Sequence, residues 1–577
     1  MKGSEELRGI PASPGVSIGP VFVYRPEEYC VLKHTMAPSQ IPKEVVRFKA
    51  AIKKTKVELK ALQRRVEKEI GAGHANIFMA HLQIMDDPVL MFESIGMVKK
   101  NRWNIEYALQ QSINKLAHMI ESLPDDLLRE RSHDIRDVGR RMMKHLVGRV
   151  HETLADLDAP VVIVAPQLTP SDTVNMRREH ILGFVTEAGG RMSHSAIMAR
   201  ALEIPAVVGL KHVTEMIQDN ETVIVDGIHG VVVIRPTEAM VRHYSREREA
   251  YLAKEHELEK LRDVPARTQD KQTFSLMANI EISEEIALAE KHGASGVGLY
   301  RTEFLYLNRD TLPLEEEQYE AYRLVLERMN PRPVVIRTID LGGDKIAQAL
   351  HFTESNAHLK NLRAIRLCLA MPELFKTQLR ALLKASVHGN LHIMFPMIST
   401  VEEFVQARKI LQEAKRELKK EGVIVCSTIK IGAMVEVPSI AVSLEALARE
   451  VDFVSIGTND LFQYLFAIDR TDEVLSSLYD PLQPAMLRLL NQVLHVAKRA
   501  GISVAMCGEM AGDPAMTVVL AGLGLKNFSM TPGSIPLVKK VIQHMKYDHA
   551  KKVAAKALTM STAHDIRALL PRIHGIL

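Results

Sequence analysis

The chain has 577 residues, too many for one hydrophobic core and enough for about three or four domains. A net charge of +4 with 25% charged residues excludes the strongly basic balance of a nucleic-acid binder or a membrane-surface protein. The four cysteines (Cys30, Cys368, Cys426 and Cys507) lie far apart with no CxxC pair, and no apolar leader or membrane-length run is present, so a cytoplasmic protein with reduced thiols is expected.

In chain order, residues 8–25 alternate glycine and proline turns with short β-prone pieces such as 21–24. From Pro42 to about Glu152 the pattern is helical. An amphipathic helix is expected over 50–70 and a second over 76–95, broken at Asp86-Asp87-Pro88. Further helices fall within 103–123 and 132–154, which suggests a small antiparallel bundle. β signals return at 160–164, 181–186, 206–208, 222–225 and 231–234, with helical pieces between them. Residues 236–262 are charged and helical, either a linker helix or a surface helix of the preceding domain. From 273 onward, apolar runs at 274–280, 296–300, 334–339, 391–395, 429–437, 453–456, 502–506 and 527–530 alternate with helix-length segments. Such β-then-α units point to a (β/α)8 barrel of the TIM type. The expected chain is therefore multidomain α/β. An α/β domain (1–27 and 151–235) carries an inserted helical bundle (28–150), and a linker helix (236–265) leads to a C-terminal barrel (266–577).

Two groups of residues carry chemistry. The segment Gly189-Gly190-Arg191-Met192-Ser193-His194-Ser195 is a glycine loop running into an apolar helix pattern. It places His194 at a helix N-terminus, where a phosphoryl group would meet free backbone N–H groups. The second group lies at the expected C-terminal ends of barrel strands, where the chemistry of such barrels belongs. It comprises Arg301-Thr302-Glu303, Arg337, Asp340 to Lys345, Glu436, Asn459-Asp460, Arg470 and Cys507-Gly508-Glu509. Charges beside apolar strands need partners or a ligand. Arginines suit a small, highly anionic substrate, and Glu436 with Asp460 offers hard oxygen ligands that fit Mg²⁺. Cys507 reads as a protonated thiol that can act as an acid, or as a small buried hydrophobe.

The motifs GGRMSHSAIMARALEIPAVVG, GVGLYRTEFL, RTIDLGGDK, MVEVP, SIGTNDLFQYLFAIDR and CGEMAGD stand in this order along the chain. In them the chain resembles Enzyme I of the bacterial phosphotransferase system, the phosphoenolpyruvate–protein phosphotransferases. The resemblance covers nearly the whole length. It implies that phosphoenolpyruvate binds in the barrel with Mg²⁺ on Glu436 and Asp460. Arg301, Arg337, Arg470, Asn459 and Asp460 would hold the substrate, with Lys345 and Arg363 as supporting cations. His194 would take the phosphoryl group, oriented by Thr173, and Cys507 would protonate the departing enolate to pyruvate. The phosphoryl group would then pass to a histidine of the carrier protein HPr, docked on the helical bundle near Ile77 to Leu82. A homodimer through the barrel is implied as well.

The chain departs from the family pattern at Met192, where a threonine is usual. It departs again at Asn356 to Arg363, which replaces a pattern close to N-P-x-L-G-x-R. These departures keep open a catalytically weak regulatory paralogue that binds phosphoenolpyruvate or the carrier protein. A phosphoenolpyruvate synthase or dikinase would need a large ATP-binding domain, for which the chain has no room.

Overall fold

The computed structural model describes residues 4–24, 31–69, 81–121 except 83 and 86–87, 126–147, 154, 157–168, 178–190, 196, 199–200, 204–307 except 284, 311–346 except 344, 354–468 and 480–570. The chain divides into two compact units, Met1–Lys254 and Glu255–Leu577.

The first unit holds a mixed eight-stranded sheet and a group of helices. The strands are β1 (Glu5–Arg8), β2 (Ile10–Ser13), β3 (Val16–Val23), β4 (Val161–Ala165), β5 (Ile181–Thr186), β6 (Ala206–Val208), β7 (Thr222–Asp226) and β8 (Val231–Ile234), in the order β1-β8-β7-β3-β4-β5-β6-β2. The sheet is buried on both faces, as alternation along β4 shows. Val162 and Val164 enter one apolar cluster, while Ile163 and Ala165 enter another. The charged β1 and the proline-containing β2 occupy the sheet edges. Neither carries an apolar run, and each is paired along one side only.

The helices are α1 (Ile41–Glu69), α2 (Pro88–Asn101), α3 (Ile105–Glu121) and α4 (Asp126–Val147). On α3 the buried Ile105, Ala108, Leu109, Ile113 and Ala117 form one stripe, facing Phe48 and Leu59 of α1 and Val138 and Met142 of α4 in a common core. α1 begins well before the expected residue 50, because Pro42 sits in its first turn, where a missing N–H costs no hydrogen bond. Pro88 opens α2 for the same reason. The charged stretch after Pro236 is a single helix, α5 (Glu238–Glu259), and the division between the units falls inside it.

The second unit is a closed barrel of eight parallel strands. These are β9 (Ser275–Ile280), β10 (Val297–Tyr300), β11 (Pro333–Arg337), β12 (Asn390–Phe395), β13 (Lys430–Val435), β14 (Phe453–Ile456), β15 (Ser503–Met506) and β16 (Asn527–Met530). β16 pairs with β9 to close it. Every strand lies within two residues of the run expected from sequence at its start. Each presents one set of side chains to the surrounding helices and the other to the barrel interior. Leu299, Val335, Met394, Met434 and Phe453 form the inner cluster.

The outer layer depends on aromatic packing. Phe395 stacks edge-on against Phe375 of α6 (Pro372–Ala385) and lies against Phe404 of α7 (Val401–Lys420), with ring centroids 5.8 and 5.6 Å away. All three rings are buried. Phe395→Ala is expected to destabilise the barrel by about 3–5 kcal/mol in a denaturant titration followed on the barrel's own transition. A loss below about 1 kcal/mol would show that this layer is not closely packed.

Candidate active site at the barrel mouth

The inward parity of the strands continues past their ends. Two residues beyond Leu299, Val335 and Met434 stand Arg301, Arg337 and Glu436. Strand period two therefore delivers two guanidinium groups and a carboxylate to the same mouth. Arg337 is 8% exposed and Glu436 only 1%. Gly457, after β14, makes room for Glu436, since a Cβ there would lie 2.8 Å from Glu436 Oε2. Asn459 and Asp460 lie in the first turn of α8 (Thr458–Phe466), and Cys507 directly follows β15.

These side chains form one ion network. Arg337 donates to Glu303 Oε1 at 3.0 Å and forms an ion pair with Asp340 Oδ2 at 2.8 Å. Arg363 donates to both oxygens of Asp340, at 2.9 and 3.2 Å, and reaches Asp460 Oδ1 at 3.3 Å. Arg301 pairs with Glu281. Asn459 exchanges two hydrogen bonds of 3.0 Å with the side chain and backbone N–H of Glu509. Burial works against the Arg337 charge, but Glu303, Asp340 and Glu436 hold its guanidinium more firmly protonated than usual. Burial likewise pushes Asp340 up, yet Arg337 and Arg363 outweigh it and keep Asp340 below the ordinary carboxylate range.

Glu436 behaves in the opposite way. Burial, reinforced by the negative charges of Asp340 and Asp460, pushes it up to about 8. Ligand oxygens of Asp340, Glu436 and Asp460 lie within 4.8 Å of one another. Asp340 is committed to two arginines. Glu436 Oε1 accepts from the Met397 backbone N–H at 2.6 Å, and its Oε2 has no hydrogen-bond donor among the described residues. Hard oxygens crowded in this way, with Glu436 resisting ionisation, fit a divalent cation.

Cys507 is 3% exposed, and burial raises its thiol above the usual value, so it carries its proton at neutral pH. Its carbonyl accepts from Asn279 Nδ2 at 2.9 Å, and Asn279 Oδ1 accepts from the Ser529 hydroxyl at 2.6 Å. Lys345 is exposed at the edge of the mouth, in the wall of a cavity it shares with Asp340 and Arg363.

Of the residues singled out from sequence, Arg301, Arg337, Lys345, Arg363, Glu436, Asn459, Asp460 and Cys507 stand at or near this mouth. His194, Thr173, Arg470 and Met192 lie outside the described residues. Sequence reasoning gave no role to Glu303, which counters Arg337, or to Asp340, which bridges Arg337 and Arg363. The available signal was the need of a buried arginine for carboxylate partners.

Known families match in three segments. The PEP-utilising enzyme, PEP-binding domain, matches residues 255–547. The N-terminal domain of PEP-utilising enzymes matches 8–131, and their mobile domain matches 157–230. A phosphoenolpyruvate-protein phosphotransferase of Bacillus sp. (strain S) is 44% identical over 99% of this chain and 98% of its own length. The chain belongs to the phosphoenolpyruvate-protein phosphotransferase family. Proteins of the same name from Geobacillus stearothermophilus (44% identical, covering 99% of this chain and 98% of the relative) and Bacillus subtilis strain 168 (45%, covering 98% and 99%) are similar to it. A solved structure described as the NMR solution structure of Enzyme I (nEIt) is 41% identical and covers 42% of this chain and 99% of its own, at a TM-score of 0.37, too low to bear on the fold. Among the described residues no helix is long and apolar enough to cross a membrane.

The Glu436 environment sets a pH dependence. In metal-free protein the folded carboxyl keeps its proton to about pH 8, whereas the unfolded one loses it near the ordinary value of 4.5. The contribution of this group to stability is therefore full at low pH and is lost as pH rises between those values. Glu436→Gln, neutral throughout, is expected to raise the Tm of chelator-treated protein at about pH 9 and to leave it nearly unchanged at about pH 4, below both values. An equal change at both pH values would contradict this environment.

Proposed function

We propose that this chain transfers the phosphoryl group of phosphoenolpyruvate to its own His194 and then to a histidine of the carrier protein HPr, releasing pyruvate. That is the first step of the sugar phosphotransferase system. The observation that carries the reading is the barrel mouth. Carboxylates suited to a cation stand against arginines suited to a phosphate and a carboxylate, with a protonated thiol beside them. The similarity to phosphoenolpyruvate-protein phosphotransferases over the whole chain supports it. Arg301, Arg337, Lys345, Arg363, Glu436, Asn459, Asp460 and Cys507 stand at or near this mouth, and the names of the relatives lend no support to a regulatory paralogue.

Phosphoryl transfer needs position and charge stabilisation more than covalent help from the protein. Arg301 and Arg337 come from neighbouring strands and suit bidentate contacts to phosphate and carboxylate oxygens. Lys345, Arg363, Asn459 and Arg470 complete the proposed binding set. Glu436 and Asp460 would hold Mg²⁺, which supplies Lewis-acid stabilisation of the negative charge on phosphate and enolate oxygens. A neutral imidazole nitrogen of His194, oriented by Thr173, attacks phosphorus. The bond from phosphorus to the enol oxygen breaks and a P–N bond forms. The Cys507 thiol gives its proton to C3 of the enolate, which makes ketone pyruvate, and the thiolate regains a proton from solvent. His194 then yields its phosphoryl group to HPr, for which the helices α1 to α4 are the proposed docking subdomain. The protein would act in the cytoplasm, as a homodimer paired through its barrel.

Incubation with ³²P-labelled phosphoenolpyruvate and Mg²⁺ tests the reading. Wild type should acquire acid-labile, base-stable label and pass it to HPr, while His194→Ala should acquire none. An unlabelled wild type overturns the reading. Cys507→Ala should slow pyruvate formation about 100-fold or more without loss of fold by circular dichroism, and unchanged turnover at saturating substrate would remove the thiol from the mechanism.

A further inference from the structure

The buried stripe of α6 is apolar except at one position. Among Leu374, Phe375, Leu379 and Leu382 stands Gln378, 0% exposed. An amide in such a place costs stability unless its polar atoms are satisfied. Gln378 finds its partners at the ends of two barrel strands. Its Oε1 accepts from the Ile339 backbone N–H at 3.0 Å, and its Nε2 donates to the hydroxyls of Thr302 and Tyr322, both at 3.1 Å. The Ile339 N–H can only donate, which fixes the orientation of the amide.

Thr302 lies between Arg301 and Glu303 at the exit of β10, and Ile339 lies between Arg337 and Asp340 at the exit of β11. The ladder between the two strands ends at Tyr300 and Ile336, so the backbone beyond it needs other partners. The Asp340 N–H goes to Glu303 Oε1, and the Arg337 carbonyl accepts from the Thr302 hydroxyl, both at 3.0 Å. Gln378 adds a tie from outside the barrel. Its N–H, the Thr302 O–H and the Arg337 C=O form a directed chain that ends on the backbone of Arg337. On the other side Tyr322 donates its O–H to Gln318 Oε1 at 3.2 Å, and both belong to the helix Glu315–Met329. Thr302, Gln318, Tyr322 and Gln378 are all buried, which makes each of these bonds costly to lose. The strand ends tied in this way carry the guanidinium groups of Arg301 and Arg337, and an anion gripped by two arginines is sensitive to their spacing.

We propose that Gln378 is a positioning residue of the barrel site: acting through Thr302 and Ile339, it holds the ends of β10 and β11 at the spacing at which Arg301 and Arg337 grip one phosphoenolpyruvate. It touches no reacting atom itself. This rests on the reading of the mouth as a phosphoenolpyruvate site.

The test is steady-state kinetics of the full-length protein with Mg²⁺, varying phosphoenolpyruvate and HPr in turn, beside thermal melts of the same variants. Gln378→Leu should lower kcat/KM for phosphoenolpyruvate roughly ten-fold and leave kcat/KM for HPr within about two-fold. Thr302→Val, which removes only the hydroxyl from the chain, should do the same and should add little to Gln378→Leu in the double variant. Thr302→Ser keeps the hydroxyl and should return kcat/KM for phosphoenolpyruvate to the wild-type value. A lower Tm with that kcat/KM unchanged in Gln378→Leu and Thr302→Val overturns the proposal and leaves Gln378 a packing residue only. Equal losses toward both substrates, or Thr302→Ser as impaired as Thr302→Val, overturn it as well. Should Gln378→Leu fail to fold, the two Thr302 variants decide by the same criteria. A wild type that takes no label from phosphoenolpyruvate overturns the reading of the site itself, a result separate from any outcome for Gln378.

Discussion

Arg337 places a permanent positive charge inside the mouth of a parallel barrel, where it is 8% exposed. Such a charge persists only with counter-charges in good geometry. Glu303 and Asp340 supply them, at 3.0 and 2.8 Å. That requirement organises the surroundings. Asp340 recruits Arg363, Arg363 reaches Asp460, and Glu303 accepts from the backbone N–H of Asp340 at 3.0 Å, which locks the turn after β11. Thr302 donates to the carbonyl of Arg337 at 3.0 Å and accepts from the buried Gln378 at 3.1 Å, tying the network to the outer helices. Removing the guanidinium would leave the buried carboxylates of Asp340 and Glu436 and that of Glu303 without their main counter-charge.

The same network leaves Glu436 short of positive charge. Burial first, and then the negative charges of Asp340 and Asp460, outweigh Arg337, so Glu436, 1% exposed, resists ionisation. Under the proposed function a divalent cation would relieve that repulsion, and an anionic substrate would then meet cation and arginines together. Binding energy is thereby tied to the species that must react.

Much of this was legible in the chain because period-two patterning and charge conflict at strand ends. Val334-Val335-Ile336 followed by Arg337, and Ala433-Met434-Val435 followed by Glu436, each read as an apolar strand that ends in a charge. Such a charge has no packing reason to be there. The eight barrel strands were legible for the same reason, being short apolar runs between helix-length segments. β1 and β2 were not, because edge strands carry charge or proline where a central strand would carry valine. The partners within the network were not legible either. Glu303 and Asp340 stand in the motifs, but which carboxylate answers which arginine is decided by parity and loop path in three dimensions.

The proposed function requires a divalent cation and phosphoenolpyruvate to bind together at the barrel mouth. It is tested most directly by a crystal structure of the His194→Gln protein with Mn²⁺ and phosphoenolpyruvate, the metal located by its anomalous scattering. The account predicts manganese on Glu436 and Asp460, with substrate oxygens on Arg301 and Arg337. Manganese bound elsewhere, or substrate held away from those arginines, would contradict it.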